Sequence, residues 1–289
     1  MNRILLTGIN GQVGWELQRC LQPLGEVIAL DRTGLDLTNP DQIREAVRTI
    51  RPAIICNPAA YTAVDKAEKE TGLAMAINAL APGVLAEEAR KLDALLVHYS
   101  TDYVFDGKKN EPYREGDPTG PLGSYGRSKL AGEQAIQASG CRHLIFRTCW
   151  VYGLRGHNFV RTILRLATER DDLRIVADQT GMPTWSRMIA ETTALALVRH
   201  ADQHGIYHMA APDSTSWHGF ATEIVSKATR LGLIGKAPRI QPISSAEYPA
   251  PACRPANSRL DSSRLAEDFD LRLPEWQSQF FLCINAAVR

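Results

Sequence analysis

The sequence predicts an α/β fold of the Rossmann type, in which a doubly wound parallel sheet is followed by a smaller C-terminal substrate domain. One observation is that short apolar runs alternate with helical stretches along the first half of the chain. These runs are continuously apolar, which indicates strands covered by helices on both faces. A second observation is that the first run, Arg3 to Thr7, leads directly into a glycine-rich turn, Gly8 to Gly14, and then into a helix. Strand, glycine turn and helix in this order are typical of dinucleotide-binding sites.

Further elements follow from the same patterns. Apolar runs predict strands at 26–30, 53–57, 94–101, 143–148 and 205–209. Helical stretches are predicted at 42–50, 75–92, 129–138 and 188–199. Thr38 or Asn39 is suited to cap the first of these helices, with Pro40 opening it. The proline-rich segment 238–255 is predicted to be a long connection that wraps the substrate cleft.

The glycine turn is predicted to hold the pyrophosphate of a dinucleotide. Glycine allows unusual dihedral angles and a close approach of the backbone, and the helix N-terminus offers free N–H groups to phosphate oxygens. The spacing Gly-x-x-Gly-x-x-Gly is typical of short-chain dehydrogenases and reductases rather than of the simplest dinucleotide motif. The cofactor contacts expected here are Gly8, Asn10, Gly11, Gln12, Val13 and Gly14.

The second predicted strand ends at Asp31-Arg32, two neighbours that favour opposite cofactors. An acidic residue about 20 positions after the glycines is suited to bind ribose hydroxyls, as in NADH. An arginine at the same place is suited to bind the 2′-phosphate of NADPH. We therefore expect the protein to accept both NADPH and NADH.

A tyrosine and a lysine four positions apart, Tyr125 and Lys129, indicate acid–base chemistry. On a helix the two side chains share one face. A cation near a phenol favours the phenolate, so Lys129 is predicted to lower the pKa of Tyr125. Thr101 ends a predicted strand and is expected in the same crevice, because ligands collect at the carboxyl ends of parallel strands. Thr101, Tyr125 and Lys129 are the predicted catalytic residues.

The chain resembles the extended short-chain dehydrogenase/reductase superfamily and, more narrowly, the dTDP-4-dehydrorhamnose reductase family. The resemblance runs almost from end to end and is carried by separate stretches. These stretches are Leu6 to Leu17, Tyr61 to Glu68, His98 to Gly107, Pro121 to Glu133, Arg147 to Tyr152, Asp178 to Thr184 and Arg254 to Asp261.

This resemblance implies NAD(P)H-dependent reduction of the C4 ketone of a dTDP-linked 4-keto-6-deoxy sugar, which yields dTDP-L-rhamnose for cell-surface polysaccharide such as lipopolysaccharide. Lys129 would hold the nicotinamide ribose, and Thr101 would hydrogen-bond the carbonyl oxygen. We expect further cofactor contacts from Asp31, Arg32, Asp36, Leu37, Ala59, Ala60, Tyr61, Thr62, Tyr99, Tyr125 and Lys129. The expected substrate contacts are Thr101, Asp102, Trp150 and Arg254.

Related activities differ at identifiable positions. Sugar-nucleotide dehydratases of this fold carry Thr-Asp-Glu where this chain has Thr101-Asp102-Tyr103, so dehydration is disfavoured. A nucleotide-sugar epimerase uses the same tyrosine and lysine and stays an alternative. A non-catalytic NADP-binding regulatory subunit is a second alternative. Trp185 and Trp217 are candidates to stack on a thymine, although core packing is favoured for both.

Composition narrows the remaining choices. The chain has 289 residues and a formal net charge of +1, which favours neither a nucleic acid nor a membrane as partner. We expect a cytoplasmic location, because Met1 leads directly into the first strand. The six cysteines have no Cys-x-x-Cys pair and the histidines do not cluster, so no metal site is predicted. The family resemblance allows a homodimer with Mg²⁺ at its contact.

The domain division expected from these observations places a dinucleotide-binding domain at residues 1–150. Elements near 187–210 are expected to return to it, and 151–289 are expected to form mainly the substrate-binding domain.

Overall fold

The computed structural model of the protein describes residues 2–199 and 203–287. The strands are β1 (Arg3–Leu6), β2 (Glu26–Ala29), β3 (Ile54–Asn57), β4 (Leu95–Thr101), β5 (His143–Thr148), β6 (Val151–Tyr152), β7 (Asp172–Val176), β8 (Thr180–Gly181), β9 (Thr184–Trp185), β10 (Gly205–His208), β11 (Thr215–Ser216) and β12 (Arg239–Ile243). The helices are α1 (Gln12–Cys20), α2 (Pro40–Ile50), α3 (Val64–Ala67), α4 (Thr71–Met75), α5 (Ala81–Leu92), α6 (Ser124–Ser139), α7 (Phe159–Glu169), α8 (Ser186–Arg199), α9 (Trp217–Arg230), α10 (Ser263–Phe269) and α11 (Trp276–Ala286).

The central sheet has six parallel strands in the order β10-β5-β4-β3-β1-β2. The predicted Rossmann-type fold is therefore confirmed. The chain leaves β1 for β2 on one side and returns to β3 on the other, so the strand order reverses between β1 and β3. Ligands of open parallel sheets bind at such a switch point, beyond the carboxyl ends of the strands.

The strand interiors explain why this sheet forms. β4 and β5 are buried along their whole length, as their apolar sequences require when helices cover both faces. β2 lies at the edge of the sheet and is partly exposed. Asn39, rather than Thr38, caps α2: its side-chain oxygen accepts hydrogen bonds from the N–H groups of Asp41 and Gln42.

Two helix predictions need correction at their starts. The helix predicted from Met75 begins at Thr71, and it changes to a π-helical segment at Ala76–Leu80 before α5 continues it. The helix predicted from Lys129 begins at Ser124, so Tyr125 and Lys129 share α6. A π segment is a single wide turn that frequently marks a functional region, and here it packs against α6.

The prediction for residues 238–255 is wrong in its first half. Arg239–Ile243 is a strand, β12, which pairs in parallel with β7. Pro242 concealed this strand in the sequence, because proline lacks the N–H that a central ladder needs. In a two-stranded sheet the proline faces no second partner strand and is tolerated.

The apolar core falls into separate clusters. One cluster lies between the central sheet and α8, and another covers the opposite face through α2 and α5. A third cluster is built from Tyr152 onward, chiefly by α7, α9 and α11. α8 packs on α1, and β10 pairs with β5; residues 200–202 of the intervening segment lie outside the described residues. The proposed boundary at residue 150 stays a prediction.

Across residues 2–199 and 203–287, no helix combines the length and apolar character that a bilayer crossing requires.

Contact between α6 and the π segment depends on Gly132. A Cβ atom at Gly132 would lie 2.1 Å from the carbonyl oxygen of Asn78, so Gly132→Ala must push α6 outward. We expect this variant to lose about 1–3 kcal/mol of unfolding free energy, the usual cost of overpacking. Urea unfolding measures the effect. The matched control is Gly72→Ala in α4, where a Cβ meets nothing within 4 Å, and this variant should be neutral or slightly more stable. Equal stability of the two variants would contradict the packing argument.

Candidate active site

The carboxyl ends of the central strands line a cleft of about 790 Å³. Nearly all the predicted cofactor residues line it: Gly8, Asn10, Gly11, Gln12, Val13, Asp31, Arg32, Asp36, Leu37, Ala59, Ala60, Tyr61, Thr62, Tyr99, Tyr125 and Lys129. Gly14 lies behind the wall, where a Cβ would be 2.2 Å from the Gly8 carbonyl oxygen. Its role is to let α1 pack against the turn. The roles of the cleft-lining residues in cofactor binding stay predictions.

The glycine turn is shaped by close contact between two strand ends. Gly8 has φ +59°, and a Cβ there would lie 2.7 Å from Cα of Ala59. Glycine is therefore required both for the dihedral angle and for the space. α1 begins within the glycine-rich segment, at Gln12, and its capping residue, Gly11, provides no side-chain hydrogen bond. The first N–H groups of α1 thus keep their capacity to bind an anion.

The two residues that favour different cofactors, Asp31 and Arg32, follow β2, and Asp31 interacts with Asn10 of the glycine turn. Asp31 Oδ1 accepts hydrogen bonds from the N–H groups of Thr33 and Gly34, at 2.9 and 3.2 Å. Hydrogen bonding, first from the Thr33 hydroxyl, lowers the pKa of Asp31, so it is an anion at neutral pH. Arg32 is exposed, and its charge acts on Asp36. Both residues line the cleft, as an adenosine ribose or its phosphate requires.

The predicted catalytic hydroxyls lie side by side. Thr101 ends β4, and its Oγ1 donates to Asp102 Oδ1 and accepts from the Tyr103 N–H, both at 3.1 Å. Tyr125 on α6 lies close enough to Thr101 for that hydroxyl to act on its pKa, and its ring meets the edge of Tyr103 at 5.6 Å between centroids. Thr101 and Tyr125 lie in one cleft, as predicted from the sequence. Tyr103 also lines this cleft and was not among the predicted site residues.

Lys129 lies one helical turn beyond Tyr125 and is only 1% exposed. Its Nζ is 3.0 Å from His98 Nε2. Burial lowers the pKa of Lys129 to about 8, and the charge of Glu133 opposes this shift. Lys129 therefore keeps its proton at neutral pH by a small margin.

The predicted lowering of the Tyr125 pKa is wrong for this structure. Burial raises the pKa of Tyr125 to about 12, and the charge of Asp102 acts in the same direction. The hydrogen bond with Thr101 opposes the rise without cancelling it. Desolvation of the phenol outweighs any influence of Lys129, whose ammonium contacts His98 instead.

Asp102 is a buried carboxyl group beside these residues. It is 3% exposed, and burial raises its pKa to about 6, although hydrogen bonds from Ser258 and Thr101 lower it. It lines the cleft, as does Trp150. Both positions fit the predicted substrate contacts, which stay predictions.

Trp150 is held in a stacked pair at the cleft wall. Its ring lies 3.4 Å from that of Trp217, at 8° between planes, and Trp217 also touches Phe159. Trp150 has φ +44°, a costly conformation for a bulky residue. Its indole covers Gly181, where a Cβ would collide with it at 2.2 Å. Trp217 is partly buried against the same core cluster and lines the cleft, whereas Trp185 is buried in the core as expected.

A second cavity of about 1330 Å³ adjoins the cleft, because Trp217 lines both. Arg254 lines this second cavity, where its Nη2 is 2.9 Å from Asp65 Oδ2. Arg170 and Arg174 contribute further positive charge, although Arg174 is also paired with Glu247. Asp172 and Glu247 also line this cavity and offset part of the positive charge. Its guanidinium groups and the Trp217 ring suit a phosphorylated, ring-containing ligand.

Within the part of the chain that the structure describes, no cluster of three or more histidine, cysteine or acidic residues is suited to hold a metal ion. The six thiols are free cysteines.

Comparisons with known proteins agree with this geometry. The sequence model of the RmlD substrate binding domain matches residues 1–288. The chain belongs to this family. A dTDP-4-dehydrorhamnose reductase from Burkholderia thailandensis is 49% identical over 294 residues, covering 98% of each chain. The Escherichia coli K12 enzyme of the same name is 46% identical, covering 95% of this chain and 94% of its own.

Among solved structures of RmlD-family relatives, a dTDP-4-dehydrorhamnose reductase from Bacillus anthracis was determined in complex with NADP. It superposes with a TM-score of 0.92 at 37% identity, covering 99% of both chains. A UDP-glucose 4-epimerase from Thermus thermophilus has a TM-score of 0.77 at 23% identity, a likeness that concerns the fold alone.

Burial of the Lys129 ammonium predicts a trade between stability and activity. An unfolded lysine keeps its proton up to the ordinary pKa of 10.5, whereas the folded one releases it near 8. The folded state therefore carries the full cost of the buried charge below pH 8, and this cost fades as the pH rises towards 10.5. We expect Lys129→Met to be about 1–3 kcal/mol more stable than the parent at pH 7, to lose this advantage by pH 10, and to be inactive. Urea unfolding at pH 7 and pH 10 measures the difference in stability between the variant and the parent. An equal stability difference at both would contradict the buried charge.

Proposed function

We propose that this protein is a dTDP-4-dehydrorhamnose reductase that uses Thr101, Tyr125 and Lys129 to reduce the C4 ketone of dTDP-4-dehydro-L-rhamnose. The observation that carries the proposal is that these three side chains line the same cleft as the glycine turn. Family membership supports the reaction, and the position of the three groups supports their roles.

The roles follow from chemistry and position. Bound NADPH supplies the hydride that the ketone carbon accepts. Tyr125 gives a proton to the developing alkoxide, and its raised pKa keeps that proton available at neutral pH. Thr101, which lies beside Tyr125 in the cleft, orients the carbonyl oxygen. Lys129 holds the nicotinamide ribose through N–H donors.

The substrate is proposed to span both cavities. The sugar would lie in the cleft beside Trp150, and the nucleoside diphosphate would extend past Trp217 into the second cavity. Arg254 supports this arrangement, because a guanidinium paired through one nitrogen retains donors for phosphate oxygens. The stacked indoles lie between the two parts, and Trp217, which lines both cavities, is the aromatic group placed to contact the thymine.

The same proposal extends to cofactor choice and cellular role. Asp31 and Arg32 support use of both NADPH and NADH. The product would serve cell-surface polysaccharide synthesis, such as that of lipopolysaccharide, in the cytoplasm. A homodimer is proposed, with Mg²⁺ as an optional component of its contact, and the chain is proposed to divide near residue 150.

The epimerase and regulatory alternatives predict different behaviour. An epimerase retains NAD through its cycle and consumes no reduced cofactor, and a regulatory subunit would bind cofactor without turnover. The discriminating experiment follows near-ultraviolet absorbance of NADPH or NADH with dTDP-4-dehydro-L-rhamnose. Stoichiometric oxidation supports the reductase. Binding without oxidation would overturn it.

Replacement of the phenol should remove the proton donor while sparing the cofactor site. We expect Tyr125→Phe to lower kcat by at least about a hundredfold, a common loss for a general acid, with little change in NADPH affinity. Tyr152→Phe is the matched control, because the Tyr152 hydroxyl is buried in the other core without a hydrogen-bond partner. That variant should keep full activity. A Tyr125→Phe enzyme with near-parental kcat would remove Tyr125 from the mechanism.

Arg32 offers a test of cofactor choice. If its guanidinium binds the 2′-phosphate, Arg32→Ala should raise the KM for NADPH by roughly 10- to 100-fold, the usual effect of losing a hydrogen bond to a charged group. The KM for NADH should stay the same, which makes NADH an internal control. Arg44→Ala on α2, which removes the same charge outside the cleft lining, should alter neither value. Parallel changes for both cofactors would show that Arg32 does not read the phosphate.

A further inference from the structure

A chain of buried polar side chains connects Lys129 to the switch point of the sheet. Lys129 Nζ is 3.0 Å from His98 Nε2, and His98 Nδ1 is 3.2 Å from the side-chain amide of Asn57. Thr7 Oγ1 in turn donates to Asn57 Oδ1 at 2.6 Å. None of the four residues is more than 2% exposed. These side chains therefore join α6 to the carboxyl ends of β1 and β3 and to the middle of β4, at positions that are almost completely buried.

The protonation state of His98 follows from its partners. Burial, followed by the charge of Lys129, holds the pKa of His98 well below its ordinary value, so the ring is neutral. An ammonium group has only N–H donors, so Nε2 of a neutral ring must accept and the ring proton must reside on Nδ1. With its proton on Nδ1, the ring donates to the backbone carbonyl of Asn57. The side-chain nitrogen of Asn57, Nδ2, also lies 3.2 Å from Nδ1, but an amide NH2 group has only donors and does not accept this proton.

Glu133 is the acidic residue nearest in sequence to Lys129 on α6, but its carboxylate is already used. Arg147 donates two hydrogen bonds to it, Nε to Oε1 at 3.0 Å and Nη2 to Oε2 at 2.7 Å. Both members of this pair are buried. Among the described residues, His98 is the one that receives a hydrogen bond from the Lys129 ammonium.

We propose that His98 is a positioning residue that accepts one hydrogen bond from the Lys129 ammonium and thereby sets the place and the protonation of that group. The proposal rests on the proposed function, in which Lys129 acts from the cleft. An ammonium has three N–H groups. With one directed to His98, two remain for the cofactor ribose and the developing phenolate. A lysine side chain rotates about four bonds, so a fixed acceptor for its ammonium group removes much of the conformational freedom of the side chain.

Other titratable groups near the pair are accounted for. The charged group that acts on Lys129 from its own helix is Glu133, and Lys129 itself acts on His98. Tyr125 on α6 and Asp102 after β4 line the same cleft as Lys129. Cys56 on β3 and Tyr99 on β4 belong to the cluster on the α8 face of the sheet, where Tyr99 hydrogen-bonds with Thr193, and burial raises the pKa of both. Asp102, whose pKa is about 6, acts on Tyr125 and titrates below the range in which Lys129 does.

The first test is the pH dependence of kcat/KM in His98→Phe, which keeps a planar ring and removes the acceptor. Loss of the Lys129 proton should limit activity on the alkaline side near pH 8 in the parent. Loss of a hydrogen bond to a charged group changes an equilibrium roughly 10- to 100-fold. The alkaline limb of His98→Phe should therefore move about one to two pH units lower. His98→Gln, which restores an acceptor, should move it back towards the parental value.

His143→Phe is the matched control. His143 is also buried, lies on the neighbouring strand β5, and contacts the Cys141 carbonyl at the opposite end of the sheet. The alkaline limb of the kcat/KM profile of His143→Phe should coincide with that of the parent. An unmoved limb in folded, NADPH-binding His98→Phe would overturn the proposal. A full-activity Lys129→Met would instead overturn the role of Lys129 and hence the proposed mechanism.

A second measurement on the parent protein covers the case in which the variants fail to fold. Nitrogen-15 NMR distinguishes the two neutral tautomers and the imidazolium of each histidine. The His98 signal should show a proton on Nδ1 alone between pH 6 and pH 8. A His98 that titrates in this range, or that carries its proton on Nε2, would overturn the proposal.

Discussion

The burial of one ammonium group is the constraint on which the rest of the site depends. A charge removed from water is costly unless polar partners replace the solvent. Lys129 is almost completely buried, and its partner is the neutral ring of His98. Asn57 and Thr7 continue the row of buried polar groups behind His98. The middle of β4 and the ends of β1 and β3 are thus connected to the helix that carries Tyr125.

The switch point of the sheet brings the dinucleotide turn close to the proposed catalytic side chains. Gly8 and Ala59 make close contact at the ends of β1 and β3, which places the dinucleotide turn next to the polar chain. β4 adds Thr101 at the same edge. Parallel strands must all end on this side, so the topology, rather than any single interaction, gathers these groups.

The sequence predicted those parts of the site that follow from local rules. A four-residue spacing places Tyr125 and Lys129 on one helical face, and the glycines mark a turn that tolerates no Cβ at Gly8. Quantities that depend on tertiary packing were missed. The sign of the Tyr125 pKa shift needed the burial of the ring. His98 was hidden inside an apolar strand, where a lone polar residue was the available signal.

A neutral partner for Lys129 has a chemical consequence under the proposed mechanism. A carboxylate in the place of His98 would cancel the ammonium charge before any reaction, whereas an imidazole holds the ammonium without neutralising it. Glu133, the nearby carboxylate on α6, forms its ion pair with Arg147 rather than with Lys129. Tyr125 is uncharged while it keeps its proton, and becomes an anion only as that proton leaves. The attraction between Lys129 and Tyr125 therefore grows during proton transfer, and an interaction stronger in the transition state than in the ground state is one that raises kcat.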